Sequence, residues 1–398
     1  MRLSPFRAAT ALLLALPLLG APAVTHAATP SAPVAVGRSP HAVPGEYIVT
    51  LKPGRAAGEV LRTLRVTPRF SYTDALNGFA ARLDPALLRA VRTSPAVAAV
   101  EENSRLTVHG SARRDGPPGR ATRAPAPVWG LDRIDQRALP LDHAFTTRGH
   151  GEGVSAYVVD TGIDYTHPEF GGRAVPGFDA VGDGGNGLDC NGHGTHVAGT
   201  VGGLTYGVAP RARLVSVRVV DCTGNGDKAQ YIAGLDWVAR NAEGPAVVNA
   251  SLGEEKSTAI NDATTALSGR GVLPVVSAGN DASDACSASP ASAAGVLTVA
   301  ASDREDRESD FSNWGPCVSL YAPGQAITSA WPGGGSRVLN GTSMAAPHAT
   351  GVAALYLAGH PAATPEAVRS FLVGRSTGNA LTHVHPGTPN RLLFTAGL

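Results

Sequence analysis

The sequence predicts an α/β protein with a mostly parallel central sheet flanked by helices, preceded by a small α+β unit. Five apolar runs predict the strands of the main sheet: VSAYVVD, LVSVRVVD, AVVNASL, VLPVVSAGN and VLTVAAS. Each run is continuously apolar rather than alternating, which is typical of strands covered on both faces. Helical stretches such as DKAQYIAGLDWVARNA separate the runs, as expected for parallel connections.

Residues 45–109 predict the small unit. Strands at EYIVTL, FAARL and near AVAAVEE alternate with helices at AGEVLRTLRV and PALLRAVRTS. Residues 28–44 before this unit are predicted to be a linker. Residues 110–123 are rich in Arg, Pro and Gly without an apolar period, which predicts an exposed linker that is easily cleaved. The large domain then covers residues 124–398.

The first 27 residues are typical of a secretory signal peptide. Arg2 and Arg7 precede the apolar segment ALLLALPLLG, and small residues lead to Ala27. A transmembrane anchor would need about 20 apolar residues, but Pro17 interrupts this segment. We therefore expect a secreted, extracellular protein.

Composition excludes some partners. Of the 398 residues, 43% are apolar, which is enough for a large core. Only 16% are charged and the net charge is +1, so nothing favours binding to nucleic acid or to a membrane surface. We expect neither partner, and a monomer.

The four cysteines form an even number, which suits an oxidising compartment. Three pairings are possible. We favour Cys190 with Cys222 and Cys286 with Cys317, because each bond closes a loop of about 30 residues, worth roughly 3–4 kcal/mol in the chain-entropy model. No CxxC pair is present, so a zinc site is not expected.

Polar residues that directly follow the predicted strands are candidates for a site, because ligands of parallel sheets bind beyond the carboxyl ends of the strands. These residues are Asp160, Asp221, Ser251 and Asn280. Asp160 follows a valine-rich strand, where an ionised carboxylate needs a donor or a charged partner. Asp164 lies in the following turn and can stay hydrated. We therefore expect Asp160 to be functional.

Two histidines stand in DCNGHGTHVAGT, residues 189–200. The zinc-protease pattern HExxH requires a glutamate and a spacing of four, and this segment has neither. His193 follows Gly192 at the junction of loop and helix, so it is the candidate base. We expect His196 to be packed in the structure.

Ser343 lies in LNGTSMAAPHATG, ahead of a helical run. A serine there can cap the helix, but Thr342 could do the same. Only one of the two hydroxyls is needed as a cap, so the other is free for a different role. Gly341 and neighbouring alanines would let a substrate backbone approach. We therefore interpret Ser343 as a nucleophile, with Thr342 or the serine backbone at the helix start. His348, later in the same helix, should point elsewhere.

The order Asp160, His193, Ser343 is that of subtilisin and differs from other triad folds. Together VVDTGID, NGHGTHVAGT, SAGN and GTSMAAP resemble the signature blocks of the subtilisin-like serine proteases. DCNGHGTHVAGTVGGLTYGVA, WGLDRIDQRALPLD and PNRLLF are similar to the proteinase K branch, specifically its aqualysin-like secreted bacterial members.

The resemblance implies a subtilisin-like fold for the large domain and a ferredoxin-like inhibitory propeptide for residues 45–109. The implied function is a secreted serine endopeptidase of broad specificity, made as an autoprocessed zymogen and acting on proteins and peptides. The propeptide would aid folding and inhibit the enzyme. Its junction with the mature enzyme is expected between His109 and Ala124.

The resemblance also assigns roles. His193 would take the proton of Ser343 as it attacks, and Asp160 would hold the imidazole. Asn280 would donate to the oxyanion together with the Ser343 backbone N–H. Substrate would pair as a strand with CTGNG, where Gly224 and Gly226 allow close approach, and with ASLG. The implied walls of the pocket for the residue before the cut are Ser251, Leu252, Gly253, Ser277, Ala278 and Gly279.

Glu254 and Glu255 stand where close relatives of this branch usually carry glycine. We hypothesise that these acids bias the cleft against acidic substrate residues and toward basic ones. The alternative is two solvated surface charges.

A structural calcium ion is implied near the mature N terminus, where four residues match the oxygen ligands of aqualysin-like members: Asp132, Asp135, Gln136 and Asp142. Calcium prefers such hard donors. The alternative is an ordinary polar helix turn. A second family site uses an aspartate where this chain has Ser319, so we expect that site to be empty.

Three alternative functions remain. The first is a catalytically inactive binding protein with the same fold, which the intact triad positions oppose. The second is a secreted serine esterase of the α/β-hydrolase kind, but GTSMA departs from GxSxG at Ala345 and the triad order differs. The third is a cysteine protease using Cys190 beside His193, which the even cysteine count opposes.

Overall fold

The computed structural model describes residues 32–108 and 128–398. Three predicted features therefore lie outside the described residues: the signal peptide, the linker at 110–123 and the junction between His109 and Ala124. In the two described ranges no helix has the length and apolar character needed to cross a membrane.

The N-terminal part is a sheet with strand order β1-β5-β2-β4-β3, covered by two helices whose apolar residues share one core with it. Its elements are β1 (Val36–Gly37), β2 (Ala42–Leu51), α1 (Ala57–Leu64), β3 (Phe70–Tyr72), β4 (Gly78–Arg82), α2 (Pro85–Thr93) and β5 (Val97–Thr107). The predicted strands and helices are present. β1 and the start of β2 lie within residues assigned to the linker 28–44, because these short extended segments carry no apolar alternation of their own and form strands only by pairing with β5.

The main sheet has nine strands in the order β18-β19-β15-β14-β12-β10-β6-β8-β7. Every neighbouring pair is parallel except β18 and β19. The strands are β6 (Ser155–Asp160), β7 (Ala174–Asp179), β8 (Arg213–Arg218), β10 (Ala246–Ala250), β12 (Leu273–Ser277), β14 (Leu297–Ser302), β15 (Leu320–Pro323), β18 (Thr377–Gly378) and β19 (Arg391–Leu392). The five predicted strands form its centre, which confirms the fold class.

Helices cover both faces of the main sheet. One face packs on α3 (Trp129–Ile134), α4 (His193–Gly202), α7 (Thr342–Gly359) and α8 (Pro365–Arg375), and the other on α5 (Lys228–Asn241) and α6 (Thr258–Gly269). Val158 of β6 belongs to the first core and its neighbour Val159 to the second. This two-sided burial explains the continuous apolar runs.

The remaining strands form small ribbons at the edge of the domain: β9 (Asn225–Asp227), β11 (Glu254–Glu255), β13 (Ala288–Ser289), β16 (Ile327–Trp331) and β17 (Gly335–Leu339). β16 pairs with β17 and β11 with β13, while β9 pairs with β5 of the N-terminal part. The last pairing connects the N-terminal sheet to the segment that follows β8 of the main sheet.

Candidate active site

Asp160 and His193 meet at the carboxyl edge of the sheet. Asp160 is the last residue of β6 and His193 the first of α4. The imidazole Nδ1 lies 2.7 Å from Asp160 Oδ1, which also accepts from the Thr161 backbone N–H at 2.7 Å. Because the carboxylate accepts a hydrogen bond from Nδ1–H, the lone pair of the neutral ring lies on Nε2. Across residues 32–108 and 128–398, His193 Nε2 has no hydrogen-bond partner.

The electrostatics of the site favour a charged imidazole. Burial alone would lower the pKa of His193, but the charge and hydrogen bond of Asp160, with a further contribution from Asp189, raise it above its usual value. The imidazolium that forms when a nucleophile gives up its proton is therefore stabilised where it is needed.

Asp189 is a functional candidate that the sequence analysis missed. Its Oδ1 accepts from Thr161 Oγ1 at 2.9 Å and from the Gly192 N–H at 2.8 Å. Its Oδ2 accepts from the Thr195 N–H at 2.9 Å and from Thr195 Oγ1 at 2.6 Å. This buried carboxylate thus ties the residue after Asp160 to the residue before His193. One sequence feature could have indicated Asp189. A glycine cap has no side chain to bind the free N–H groups at the helix start, so an acid a few residues earlier can bind them.

Ser343 lies in the first turn of α7, where its hydroxyl donates to the Ser251 carbonyl at 3.0 Å. In return, Ser251 Oγ donates to the Ser343 carbonyl at 3.0 Å. The Ser343 carbonyl is open to this bond because Pro347, four residues later in the helix, has no N–H to offer it. The proline therefore leaves the backbone of Ser343 to be held from outside the helix.

Thr342 positions Asn280. The Thr342 N–H and Oγ1 both donate to Asn280 Oδ1, at 2.8 and 2.9 Å, and Thr342 Oγ1 accepts from the Gly279 N–H at 3.2 Å. The helix cap is Gly341 and no side chain caps it. We expected either Thr342 or the serine backbone at the helix start. The Thr342 side chain does not cap the helix, because its hydroxyl bonds the loop after β12.

A cavity of about 750 Å³ lies beside Ser343. The lining from the large domain includes Ser251, Gly253, Ser277, Ala278, Gly279 and Asn280. Leu252 is not among the lining residues. Its side chain is buried in the core beneath the sheet because it alternates with its neighbours along an extended segment.

The end of β5 lies between the two segments predicted to bind substrate. On one side Leu106 pairs with Gly226 and Thr107 with Asn225, and the Val108 N–H donates to the Gly224 carbonyl at 3.0 Å. On the other side Thr107 forms an antiparallel bridge with Gly253. This chain segment has the strand-addition geometry expected of a peptide in the cleft.

Gly224 of the first segment is required by this approach, whereas Gly226 is required first by its own domain. A Cβ at position 224 would lie 2.7 Å from Val108 Cγ2, while one at position 226 would lie 2.6 Å from the Val219 carbonyl oxygen and 3.3 Å from Leu106 Cδ1. The first distance is shorter than van der Waals contact allows, and Gly224 also has a φ of +84°. A side chain at position 224 would therefore displace the paired strand.

Both favoured disulfide bonds are present. Cys190–Cys222 joins the loop ahead of His193 to the loop ahead of Gly224. The buried guanidinium of Arg218 lies 3.3 Å from Cys190 Sγ and binds Asp183 at 2.6 Å. The second bond, Cys286–Cys317, involves neither the loop ahead of His193 nor the loop ahead of Gly224.

The predicted calcium ligands only partly converge. Asp132 Oδ1 and Asp135 Oδ1 are buried and have no hydrogen-bond partner in the described part of the chain, and burial raises the pKa of both carboxyl groups. Gln136 is committed to its own loop, accepting from the Asp142 N–H at 3.1 Å and donating to Pro140 O at 2.8 Å. Among the described residues, no group of three or more His, Cys, Asp or Glu is arranged to hold a metal ion. The two unpartnered carboxylate oxygens fit a hard cation.

The other candidates have structural environments. His196 Nε2 contacts the carbonyls of Ile327 and Arg337 at 3.0 Å, and burial lowers the pKa of its imidazole to about 3. His348 Nδ1 contacts Met344 O at 2.8 Å, and burial lowers its pKa to about 4. Both rings are therefore neutral and packed.

Glu254 and Glu255 differ in environment. Glu254 is buried, and its Oε2 accepts from Ser104 Oγ of the N-terminal part at 2.6 Å. Glu255 is exposed. The alternative of two solvated charges therefore suits Glu255 but not Glu254, and the effect of both acids on substrate choice stays a prediction.

Comparison with known proteins agrees with this architecture. The chain matches the subtilase family (Peptidase_S8) over residues 151–392 and the peptidase inhibitor I9 family over residues 65–109. It is 44% identical to an "Extracellular serine proteinase" of Thermus sp. (strain Rt41A), over 93% of this chain and 94% of that protein. It is 45% identical to "Alkaline serine exoprotease A" of Vibrio alginolyticus, over 81% of this chain and 59% of that protein.

Among solved structures, the crystal structure of a cold adapted subtilisin-like serine proteinase matches with a TM-score of 0.67 and 49% identity. The match covers 68% of this chain and 99% of the other. The chain therefore belongs to the subtilase family and carries an I9 inhibitor domain ahead of its peptidase domain.

Proposed function

We propose that this chain hydrolyses peptide bonds with Ser343 as nucleophile, His193 as general base and Asp160 as the residue that orients the imidazole. The chain is a secreted serine endopeptidase made as a zymogen, as its family, its I9 domain and its relatives indicate. The observation that carries the residue assignment is the 2.7 Å contact of Asp160 with His193 at the sheet edge where β5 enters the cleft.

In the proposed reaction, the Ser343 hydroxyl turns from the Ser251 carbonyl to His193 Nε2 and gives up its proton as Oγ attacks the scissile carbonyl. The imidazolium then protonates the leaving amine, which separates from the acyl-enzyme. Water then attacks the ester while His193 accepts its proton, the bond between the acyl carbon and Ser343 Oγ breaks, and the imidazolium returns the proton to Oγ as the new carboxyl end leaves. Asp160 stays ionised throughout and holds the Nδ1 proton.

The tetrahedral oxyanion is proposed to accept from the Asn280 side-chain amide and from the Ser343 backbone N–H. Because Asn280 Oδ1 is bound by Thr342, the orientation of the amide is set before substrate arrives. Such preorganised donors need no rearrangement when charge develops.

The I9 domain is proposed to inhibit by leaving β5 in the substrate cleft, paired on both sides. The peptidase domain is proposed to run over residues 124–398, with maturation in the segment 110–123. Sequencing the N terminus of the mature enzyme tests this boundary. The mature enzyme is proposed to act as a monomer on proteins and peptides with broad specificity.

Calcium is proposed to bind the unpartnered oxygens of Asp132 and Asp135, where it would neutralise two buried carboxylates and stabilise the fold around α3. Calorimetry with calcium and with a chelator tests this. Calcium at 100 times its Kd should add about 2.7 kcal/mol to the free energy of unfolding. Asp132→Asn and Asp135→Asn should lose that gain, and an unchanged calcium effect in both variants would reject the site.

Casein hydrolysis by the purified chain tests the reaction. We expect activity that a serine-directed covalent inhibitor abolishes and that Ser343→Ala lacks. Hydrolysis of simple esters without hydrolysis of casein would favour the esterase. Correctly folded protein that cleaves neither substrate would favour an inactive binding protein.

A further inference from the structure

Glu254 lies at the contact between the I9 domain and the peptidase domain. It follows Gly253 of the cleft, and its side chain is only 7% exposed. Oε2 accepts from Ser104 Oγ of β5 at 2.6 Å, while Oε1 has no hydrogen-bond partner among the described residues. The propeptide therefore covers a carboxyl group of the peptidase domain, and only one of its two oxygens has a hydrogen-bond partner among the described residues.

Lys228 is shared between two carboxyl groups, one from each side of the contact. Its ammonium lies 3.1 Å from Glu101 Oε2 of the propeptide and 3.6 Å from Glu254 Oε1. The ammonium also donates to the Glu102 carbonyl at 3.3 Å, so it is held closer to the propeptide than to Glu254. With both acids ionised, this buried cluster would carry one negative charge in excess.

The charged side chains that line the neighbouring cavity do not remove that excess. A cavity of about 300 Å³ beside the cluster is lined by both domains and includes Arg38, Glu255 and Lys256. Arg38 bonds Glu102 at 2.5 Å, and Lys256 donates to the Cys286 carbonyl at 3.2 Å. Glu255 is exposed and adds negative charge. Burial raises the pKa of Glu254 to about 7, although Lys228 and the Ser104 hydrogen bond lower it.

We propose that Glu254 is a propeptide-recognition residue, which holds β5 in the cleft most tightly while its carboxyl group carries a proton. This inference rests on the proposed role of the I9 domain as inhibitor. In the protonated state Lys228 pairs with Glu101 alone, and the carboxyl group hydrogen-bonds Ser104 without a buried charge. In the ionised state two carboxylates compete for one ammonium across the contact.

The direction of the pH dependence follows from linkage. When β5 leaves, Glu254 gains water and Glu101 moves away, and both changes lower the pKa of Glu254 toward its usual range. Loss of the Ser104 hydrogen bond acts in the opposite direction, but burial is the largest effect on this carboxyl group. Closing the contact therefore binds a proton. The closed state is favoured at low pH, weakens about tenfold per pH unit while the pH lies between the two pKa values, and levels off above about 7.

The experiment uses the full chain with Ser343→Ala, so that the propeptide stays attached, and measures hydrogen exchange of the β5 amides at pH 5.5 and pH 8. After correction for intrinsic exchange, we expect protection to fall at least about tenfold at pH 8. Adding Glu254→Gln should remove this step and keep high protection at both pH values. Glu255→Gln is the matched control and should behave like its parent.

A pH step that persists in Glu254→Gln, or is absent from the parent, would overturn the proposal. If Glu254→Gln lowers the melting temperature of the chain, Glu101→Gln provides a second test from the propeptide side. We expect this variant to lose less β5 protection between pH 5.5 and pH 8 than the parent loses. An unchanged loss would count against the proposed role of Glu254. Casein hydrolysis is measured separately with the chain that retains Ser343. A failure of the proposed role of Glu254 is therefore distinguished from a failure of the proposed proteolysis.

Discussion

Ser251 and Ser343 are joined by two reciprocal hydrogen bonds of 3.0 Å, each side-chain hydroxyl donating to the other residue's carbonyl. Ser251 Oγ also accepts from Asn249 Nδ2 at 2.9 Å, and Asn249 Oδ1 accepts from Thr350 Oγ1 at 2.9 Å. This buried polar chain connects β10 with the interior of α7. It holds the proposed nucleophile from a neighbouring strand rather than from its own helix.

Ser251→Ala should lower kcat about tenfold, because the Ser343 carbonyl loses the donor that holds it. It should also cost about 1–3 kcal/mol of stability, because the buried Asn249 amide loses its acceptor. Steady-state kinetics on a peptide substrate and thermal unfolding measure both effects. Ser277→Ala lines the same cavity and is the control. Equal kcat values for the two variants would count against the role of the reciprocal pair.

Asp189→Asn should move the acid limb of kcat to lower pH. Asp189 raises the pKa of His193, so removing its charge lowers that pKa and the base stays unprotonated in more acidic solution. Stability should fall by about 1–3 kcal/mol, because an amide nitrogen cannot accept the bonds now made by one carboxylate oxygen.

The pH profile separates this effect from simple destabilisation. Asp221→Asn changes an acid at the edge of the same sheet whose carboxylate, within the described ranges, accepts hydrogen bonds from Thr223 and Asn225 of its own loop. Its acid limb should match that of the parent. An unshifted limb in Asp189→Asn would reject the electrostatic role and leave Asp189 as a structural residue.

Asn280→Ala should reduce kcat by about 10² to 10³-fold with little change in KM, the size measured for this donor in subtilisin itself. Thr342→Val keeps the shape of the side chain but removes the hydroxyl that binds Asn280 Oδ1. We expect it to reduce kcat by a smaller factor. In the double variant the two losses should not add, because both act through one amide. Fully additive losses would show that Thr342 acts independently of Asn280.

Replacing both cysteines of either disulfide by serine should lower stability by roughly 3–4 kcal/mol. Only the Cys190–Cys222 variant should also raise KM, because that bond connects the loops ahead of His193 and Gly224. The Cys286–Cys317 variant is the matched control, with a loop of almost equal length. Chemical unfolding and peptide kinetics measure the two effects. A KM increase of the same size in both variants would contradict the assignment.

Much of the fold was predictable because its signals are local. Five strands of the main sheet are continuously apolar, and the helices between them have their own periodicity and caps, such as the capping box of Asp227 and Gln230. β7 and β15 were missed because Pro176 and Gly177 interrupt the first and the second has only four residues. Such strands depend on neighbours that the local sequence does not specify.

By itself, the sequence determined the family, the fold class and the candidates Asp160, His193, Ser343 and Asn280, because residue type, order and the strand ends that carry them are all local properties. The tertiary structure decided which groups each candidate meets. It committed the Thr342 hydroxyl to Asn280, placed Asp189 between the loop after Asp160 and the loop before His193, and buried Glu254 beneath the propeptide. These contacts join segments far apart in the chain, so their distances exist only once the sheet has brought its carboxyl ends together.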